Sequence, residues 1–342
     1  MAKLRTPPPL ESFEVSPIRA RKPVRGSLVF WLRFFGVIAF LVVLFRLPTS
    51  QNIQMVRMDL RWLGFCMLLT VCQLLVEALI WQWLLSSLRI RHPYPSTLQA
   101  YLASEYLGLV TPGHVGEFLA AGYVSMNTGI TFGYALSSVV MKKALAWIVV
   151  MGFGVWGLQL LSHVTFLQGV KWVTLATLGI LVVLSAGIAI WVLSLRRLAR
   201  KWERLSPWQI DTTELRAGMK QLFSPKLIFP FGLCVISFSI IFLQLDFVLR
   251  ALGISLPILM VAKIVAFSRV VAKVVPISVV GFGSKDAAII GMLGNEGINT
   301  SLGLTATLLL LLCSYLVTLL LSGLCWWVKP LIIRRSARHA PR

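Results

Sequence analysis

The chain has 342 residues, of which 57% are hydrophobic and only 13% are charged. Soluble domains carry about 25% charged residues, so the composition excludes an ordinary soluble globular protein and indicates a polytopic membrane protein. The formal charge of +21 comes from 33 Lys and Arg against 12 Asp and Glu, but the basic residues cluster at the ends of apolar runs. That is a pattern of cytoplasmic anchoring; with no basic soluble module present, no nucleic-acid partner is expected.

Residues 1–26, rich in Pro and Arg, read as a disordered basic cytoplasmic tail. They contain no short apolar core with a small-residue cleavage site, so no cleaved signal peptide is expected. A membrane helix needs about 20 mostly apolar residues. Six segments qualify, at roughly 28–47, 62–88, 135–161, 172–194, 227–250 and 303–328. They define a transmembrane domain over 27–335, followed by a basic tail at 336–342.

Two further apolar stretches are too short or too broken to span. Thr97 to Val110 reaches only about 21 Å at 1.5 Å per residue, against a hydrocarbon core of about 30 Å. It stops at Thr111-Pro112-Gly113 and resumes from Val115 to Met126. Pro257 to Val275 carries Lys263, Arg269 and Lys273, stops at Pro276, and is followed by Ala287 to Leu293. Irregular backbone at membrane depth is tolerated only inside protein or along a wet cavity. Both stretches therefore read as re-entrant helical hairpins. With Lys- and Arg-rich segments on the cytoplasmic side, both termini are expected there, and the two hairpins open from opposite faces.

The order span, span, hairpin, span occurs twice, at about 28–161 and 172–328. Leu88, Ile90, Pro93 and Pro112 recur as Leu252, Ile254, Pro257 and Pro276, an offset of 164 in each case. Ser104 matches Ser268, Val110 matches Val274 and Gly133 matches Gly297 at the same offset, without a gap. Three spans per unit turn the second copy over. The expected fold is thus an all-α polytopic protein with six transmembrane helices, two oppositely oriented re-entrant hairpins and an inverted repeat. Such folds place substrate sites near the midplane, between broken helices.

Charged residues in membrane segments are functional candidates by default. Glu77 and Asp246 lie within predicted spans. Glu105 in the first hairpin corresponds to Arg269 in the second, which suits an ion pair across the pseudo-two-fold. Arg269 and Lys273, four residues apart, share a helix face, with Lys263 about 120° away on the wheel. With Lys142 and Lys143, just inside the third span, they form a basic lining suited to phosphate, unless the two lysines only snorkel to the interface. Gly281 and Gly283, flanked by Pro276 and Lys285-Asp286, permit a turn whose N–H groups point at an anion. Glu117 is placed to cap the first turn, pair with a lysine or carry a proton, and His114 titrates near neutral pH when unperturbed. The five cysteines lie in apolar segments without CxxC, and the four histidines are scattered. No metal or cofactor is implied.

The stretches LVTPGHVGEF and VVPISVVGFGSKDAA resemble the paired PxRxGE and lPiSxgGlGxrE motifs of the lysylphosphatidylglycerol synthase/flippase transmembrane family. The resemblance covers most of the chain after residue 28. It implies a lipid-handling protein working on phospholipids or polyprenyl-phosphate-linked intermediates, and it carries over the motif residues Pro112, Gly116, Glu117, Pro276, Ser278, Gly281, Gly283, Lys285 and Asp286. His114 stands where the family usually has Arg, and Asp286 stands for Glu. Lys142-Lys143 with Ala146 stands where many members have Glu-Arg and a later Asp. The soluble aminoacyl-transfer domain of the larger synthases has no counterpart here. The expected function is translocation of an anionic lipid across the cytoplasmic membrane through a basic midplane cavity, with no catalytic residue. The alternative is a lipid-modifying enzyme, or an accessory subunit of lipid or glycan biosynthesis enzymes, using Asp286 or Glu117. A structural membrane partner is the third reading.

Overall fold

The computed structural model describes residues 58–110, 112–157, 212–274, 278–279 and 282–328. The spans expected at 28–47 and 172–194, both tails, Pro276 and Gly281 lie outside the described residues.

Four long helices carry the fold. Helix α1 (Leu60–Ser87) starts at Asp59, whose side chain accepts a hydrogen bond from the Arg61 N–H at 3.0 Å. A first broken unit follows: α2 (Tyr94–Val110), a 3-10 helix (Pro112–Leu119) and α3 (Ala120–Thr128). Helix α4 (Phe132–Gly157) completes the first half. The short amphipathic α5 (Thr212–Leu222) precedes α6 (Ile228–Ala251). The second broken unit is α7 (Ile258–Val274), a two-residue ladder and α8 (Ser284–Asn295). The ladder pairs β1 (Ser278–Val279) with β2 (Phe282–Gly283), Ser278 opposite Gly283. The last span runs through α9 (Thr300–Leu311), a π segment (Leu312–Leu316) and α10 (Val317–Val328).

Among the described residues, four helices are long and apolar enough to cross a membrane: Leu60–Ser87, Phe132–Gly157, Pro225–Ala251 and Thr300–Val328. The protein is therefore an all-α polytopic membrane protein. Its exposed apolar residues form lipid-facing stripes. Leu312, Leu316, Leu320 and Leu324 repeat every four residues along the last span, and all are exposed.

The two halves repeat local structure as well as order. Helix α2 spans 94–110 and α7 spans 258–274, both ends offset by 164. Helix α1 ends with Arg89 N–H bonded to Ser86 O and Ile90 N–H to Leu85 O; α6 ends with Gly253 N–H on Arg250 O and Ile254 N–H on Leu249 O. Both are the same left-handed helix stop, with φ 60° at Arg89 and 74° at Gly253. Ser104 Oγ donates to Tyr101 O and Ser268 Oγ to Val265 O, each at 2.8 Å.

Beyond the turns the register changes. Gly129 (φ 71°) corresponds to Gly297 (φ 79°), and the starts of α4 and α9 at 132 and 300 keep that offset of 168. Both turns hold nine residues, 111–119 and 275–283, and α8 still starts 164 after α3; the four extra residues of the second half therefore lie in α8, twelve residues against nine in α3, and in the loop after it. Gly297 pairs with Gly129 and not with Gly133, because the gapless alignment passes over this insertion.

Packing follows the same logic. Helices α1 and α6 lie side by side and antiparallel: Asp59 N–H bonds Ala251 O, Gln244 reaches Thr70 and Gln73, and Ser237 reaches Glu77. The first helix of each broken unit packs on the long helix that follows the other unit, α7 on α4 and α2 on α10. Small residues allow this close approach. Gly157 lies against the Phe267 and Lys263 backbone, and Gly154 lies under Val270. Gly323 faces the Tyr106 ring.

Arg89 adopts a conformation that Gly253 adopts without a Cβ penalty at the equivalent stop. Arg89→Gly is therefore expected to stabilise the protein by about 1 kcal/mol. Gly253→Ala is expected to destabilise it by a similar amount, both read by thermal unfolding in detergent.

Candidate functional site

The first broken unit is pinned by two glycines. A Cβ at Gly116 would collide with the Leu107 and Gly108 backbone, and one at Gly108 would meet Glu117 Cγ at 2.5 Å. The 3-10 helix can therefore fold back onto α2, and this contact fixes where the Glu117 carboxylate points.

A cavity of about 270 Å³ lies between α1, α2, the 3-10 helix, α4 and the last span. Its charged lining is Glu77, Glu105, Glu117, Lys142 and Lys143. The two lysines are ten and eleven residues into α4, roughly 15 Å along it at 1.5 Å per residue. Adjacent residues diverge by about 100° around a helix, so they reach different partners. Lys142 Nζ lies 2.9 Å from Glu77 Oε2 on α1, and Lys143 pairs with Glu117 in the 3-10 helix. Ser237 Oγ on α6 donates to Glu77 Oε1 at 2.7 Å. Lys142 Nζ also stands 3.9 Å from the centre of the Tyr101 ring, a cation–π contact. Both lysines thus face inward across the bundle rather than outward to an interface.

Neutral polar side chains complete the cavity. Thr70 and Gln73 line it from α1, and Gln244 Nε2 donates to both, to Thr70 Oγ1 at 3.2 Å and to Gln73 Oε1 at 3.1 Å. Ser314 and Thr318 line it from the last span. The Thr70 hydroxyl donates to Cys66 O on its own helix at 3.1 Å and lies 3.4 Å from Cys313 O of the π segment. Trp81 Nε1 donates to the buried Ser138 Oγ at 2.9 Å and locks α1 to α4.

A second charged cluster lies at the other broken unit. The Gly283 N–H donates to Asp286 Oδ2 at 2.9 Å, so the third residue of α8 caps its own helix start. Asp286 is 1% exposed, and its Oδ1 has no hydrogen-bond partner among the described residues. Two cations compensate it: Lys285 Nζ at 3.6 Å from Oδ1, and Arg269, on α7 within electrostatic reach. Lys263 is elsewhere, 5.9 Å from the Trp156 ring centre. Lys273 is in the last turn of α7, and Ser278 is in β1. Pro112 and His114 belong to the 3-10 helix.

Of the residues singled out in the sequence, the cavity gathers Glu77, Glu105, Glu117, Lys142 and Lys143. Arg269, Lys285 and Asp286 form the separate cluster. Tyr101, Thr70, Gln73, Ser314 and Thr318 carry no sequence signal beyond a polar group in an apolar helix. Glu77 does, because an intramembrane carboxylate calls for a partner.

The halves differ in chemistry where they agree in backbone. Glu77, Tyr101, Lys142 and Lys143 correspond to Ile241, Val265, Leu310 and Leu311, all buried. Phe153 packs on Phe238 and Phe242 in that apolar region, with ring centres 5.1 and 5.3 Å apart. The charged lining of the cavity comes from the first half, and the second contributes the Ser314 and Thr318 hydroxyls.

These features define a class: a multi-pass helical membrane protein with a charged cavity beside a broken helix. The chain matches the family described as "Lysylphosphatidylglycerol synthase TM region" over residues 26–322, and it belongs to that family. No curated protein and no solved structure matches the chain significantly. Family and architecture make it a flippase-like, lipid-handling protein of the bacterial inner membrane.

Two stability tests follow. Lys142→Met leaves Glu77 without its counter-charge and is expected to cost about 3 kcal/mol; adding Glu77→Leu should recover most of that loss in a double-mutant cycle. Gly116→Ala must displace the 3-10 helix and is expected to cost about 1–3 kcal/mol. Thermal unfolding in detergent reads both.

Proposed function

We propose that the protein translocates a lipid with an anionic headgroup across the inner membrane, the headgroup entering the cavity while the acyl or prenyl tails stay in the bilayer. The observation that carries this reading is the pair of inward-facing lysines, Lys142 and Lys143, in a polar cavity enclosed by apolar helices. An ammonium already held at mid-helix can exchange its carboxylate for a phosphate without a new cation having to be buried. Arg269 and Lys285 offer a second basic station at the other broken unit, and Arg binds phosphate oxygens two at a time.

In this reading the two broken units are re-entrant hairpins of an inverted repeat. The antiparallel packing of α1 on α6 and the exchanged packing of α7 on α4 and α2 on α10 support it. Alternating access then comes from movement of one half against the other. Six spans, two of them outside the described residues, and cytoplasmic termini complete the proposed topology.

Transport is favoured over lipid modification because both acidic candidates have structural employment. Glu117 is paired with Lys143, and Asp286 caps Gly283.

Reconstitution into liposomes with head-labelled phosphatidylglycerol or polyprenyl phosphate tests the reading. Label should cross the bilayer with its lipid chemically unchanged. Lys142→Ala combined with Lys143→Ala should slow crossing at least about tenfold, the loss of roughly 1.4 kcal/mol of headgroup binding; Arg269→Ala should slow it as well. A changed lipid would establish the enzyme instead. Crossing that ignores all three substitutions would remove the cavity from the mechanism.

A further inference from the structure

Among the described residues, the cavity lining holds three carboxylates and two ammoniums, a formal balance of one negative charge. Neither lysine is idle. Lys142 lies 2.9 Å from Glu77, and Lys143 is in contact with Glu117. A phosphodiester that engages a lysine therefore competes with a carboxylate for its charge, and a full exchange takes the lysine from that carboxylate. The vacated carboxylate then faces a second anion in a cavity walled by apolar helices, where like charges repel far more strongly than in water.

The described groups facing Glu77 point to one way to relieve this. Helix α4 presents only the two lysines, both claimed. Helix α2 presents Tyr101 and another carboxylate, Glu105, and the 3-10 helix presents Glu117. Helix α6 supplies the Ser237 hydroxyl, already donating to Glu77 Oε1, with the Cys234 thiol nearby. The last span supplies the Ser314 and Thr318 hydroxyls, with the Tyr315 phenol near Glu105. Among the described residues, none of these is a spare cation.

We infer that a proton is the co-substrate: each anionic headgroup that binds in the cavity brings about one proton with it, taken up by Glu77 or Glu117. This inference rests on the proposed function. The bookkeeping is a swap. The lysine leaves Glu77 Oε2 or Glu117 Oε2 for the phosphate, a proton from the aqueous phase occupies the vacated oxygen, and the cavity keeps its net charge. When the phosphate leaves, the lysine returns and the proton is released to the side then open. Uptake and release on opposite sides make the transport a lipid–proton symport, driven by a proton gradient. The ion pairs thereby act as the coupling device, and the chain needs no nucleotide-hydrolysing domain to move lipid uphill.

The test uses the full chain in nanodiscs of phosphatidylcholine, titrated with dioctanoyl phosphatidylglycerol. Its phosphodiester stays ionised between pH 5 and 8, so protons counted belong to the protein. Calorimetry in buffers of different ionisation enthalpy counts the protons. The expected result is uptake of about one proton per lipid bound, with affinity rising by up to about tenfold for each unit the pH falls. Glu77→Gln with Glu117→Gln should bind with no proton linkage. Glu117→Gln alone, in the pair whose lysine is the more exposed, should reduce the linkage and guards against a double variant that fails to fold. Binding without proton uptake in the unmodified protein overturns the symport and leaves lipid binding intact. Undiminished uptake in the folded double variant overturns the assignment to these carboxylates. Absence of binding at every pH overturns both the inference and the proposed function.

Discussion

The structure depends on one constraint: a charge on an apolar helix must find its opposite within the bundle. Glu77 and Lys142 are on different helices, each predominantly apolar, and neither can reach water through its own element. Their ion pair at 2.9 Å draws α1 and α4 together at mid-helix. Ser237 adds α6 to the same point, and Lys143 adds the 3-10 helix through Glu117. Four elements are thus keyed to two lysines. The alternative, an unpaired charge in hydrocarbon, costs several kcal/mol.

The same constraint keeps the site polar without making it loose. Each cavity wall is also a packing contact. Gln244 bridges Thr70 and Gln73 at the antiparallel crossing of α1 and α6, and Trp81 holds Ser138 across α1 and α4. The cavity therefore has a hydrogen-bonded floor beneath its charged walls. The second broken unit carries a comparable cluster, but there the acid serves the backbone, with Asp286 committed to Gly283.

Much of the frame was legible in the sequence because its signals are local. The span expected at 62–88 is α1 at 60–87, and the breaks at Pro112 and Pro276 fall where α2 and α7 have ended. Gly253 marks its helix stop, whereas Arg89 does not, because nothing local announces a left-handed arginine. The four extra residues in α8 and the loop after it were hidden because Gly133 happens to match Gly297 at the wrong register. Glu77, Lys142 and Lys143 each stood out as intramembrane charges, but their pairing depends on how separate helices align, which no single segment encodes. The basic lining drawn from Arg269, Lys263 and the two lysines divides in space: the lysines enter a mixed-charge cavity, Arg269 joins Asp286, and Lys263 sits beside Trp156.

The π segment at Leu312–Leu316 shows how one span serves two masters. Before it, Gly303 lies against Ile290 of α8. After it, Gly323 faces Tyr106 of α2, and Trp326 stacks on that same ring with centres 6.2 Å apart. The stretch before the π segment thus docks on the second half and the stretch after it on the first. One wide turn absorbs a residue and rotates everything beyond it by about 100° without interrupting the rod. The span thus works like a shaft with an offset coupling, its two ends indexed to different halves of the protein, and Ser314 inside the coupling is a wall of the cavity.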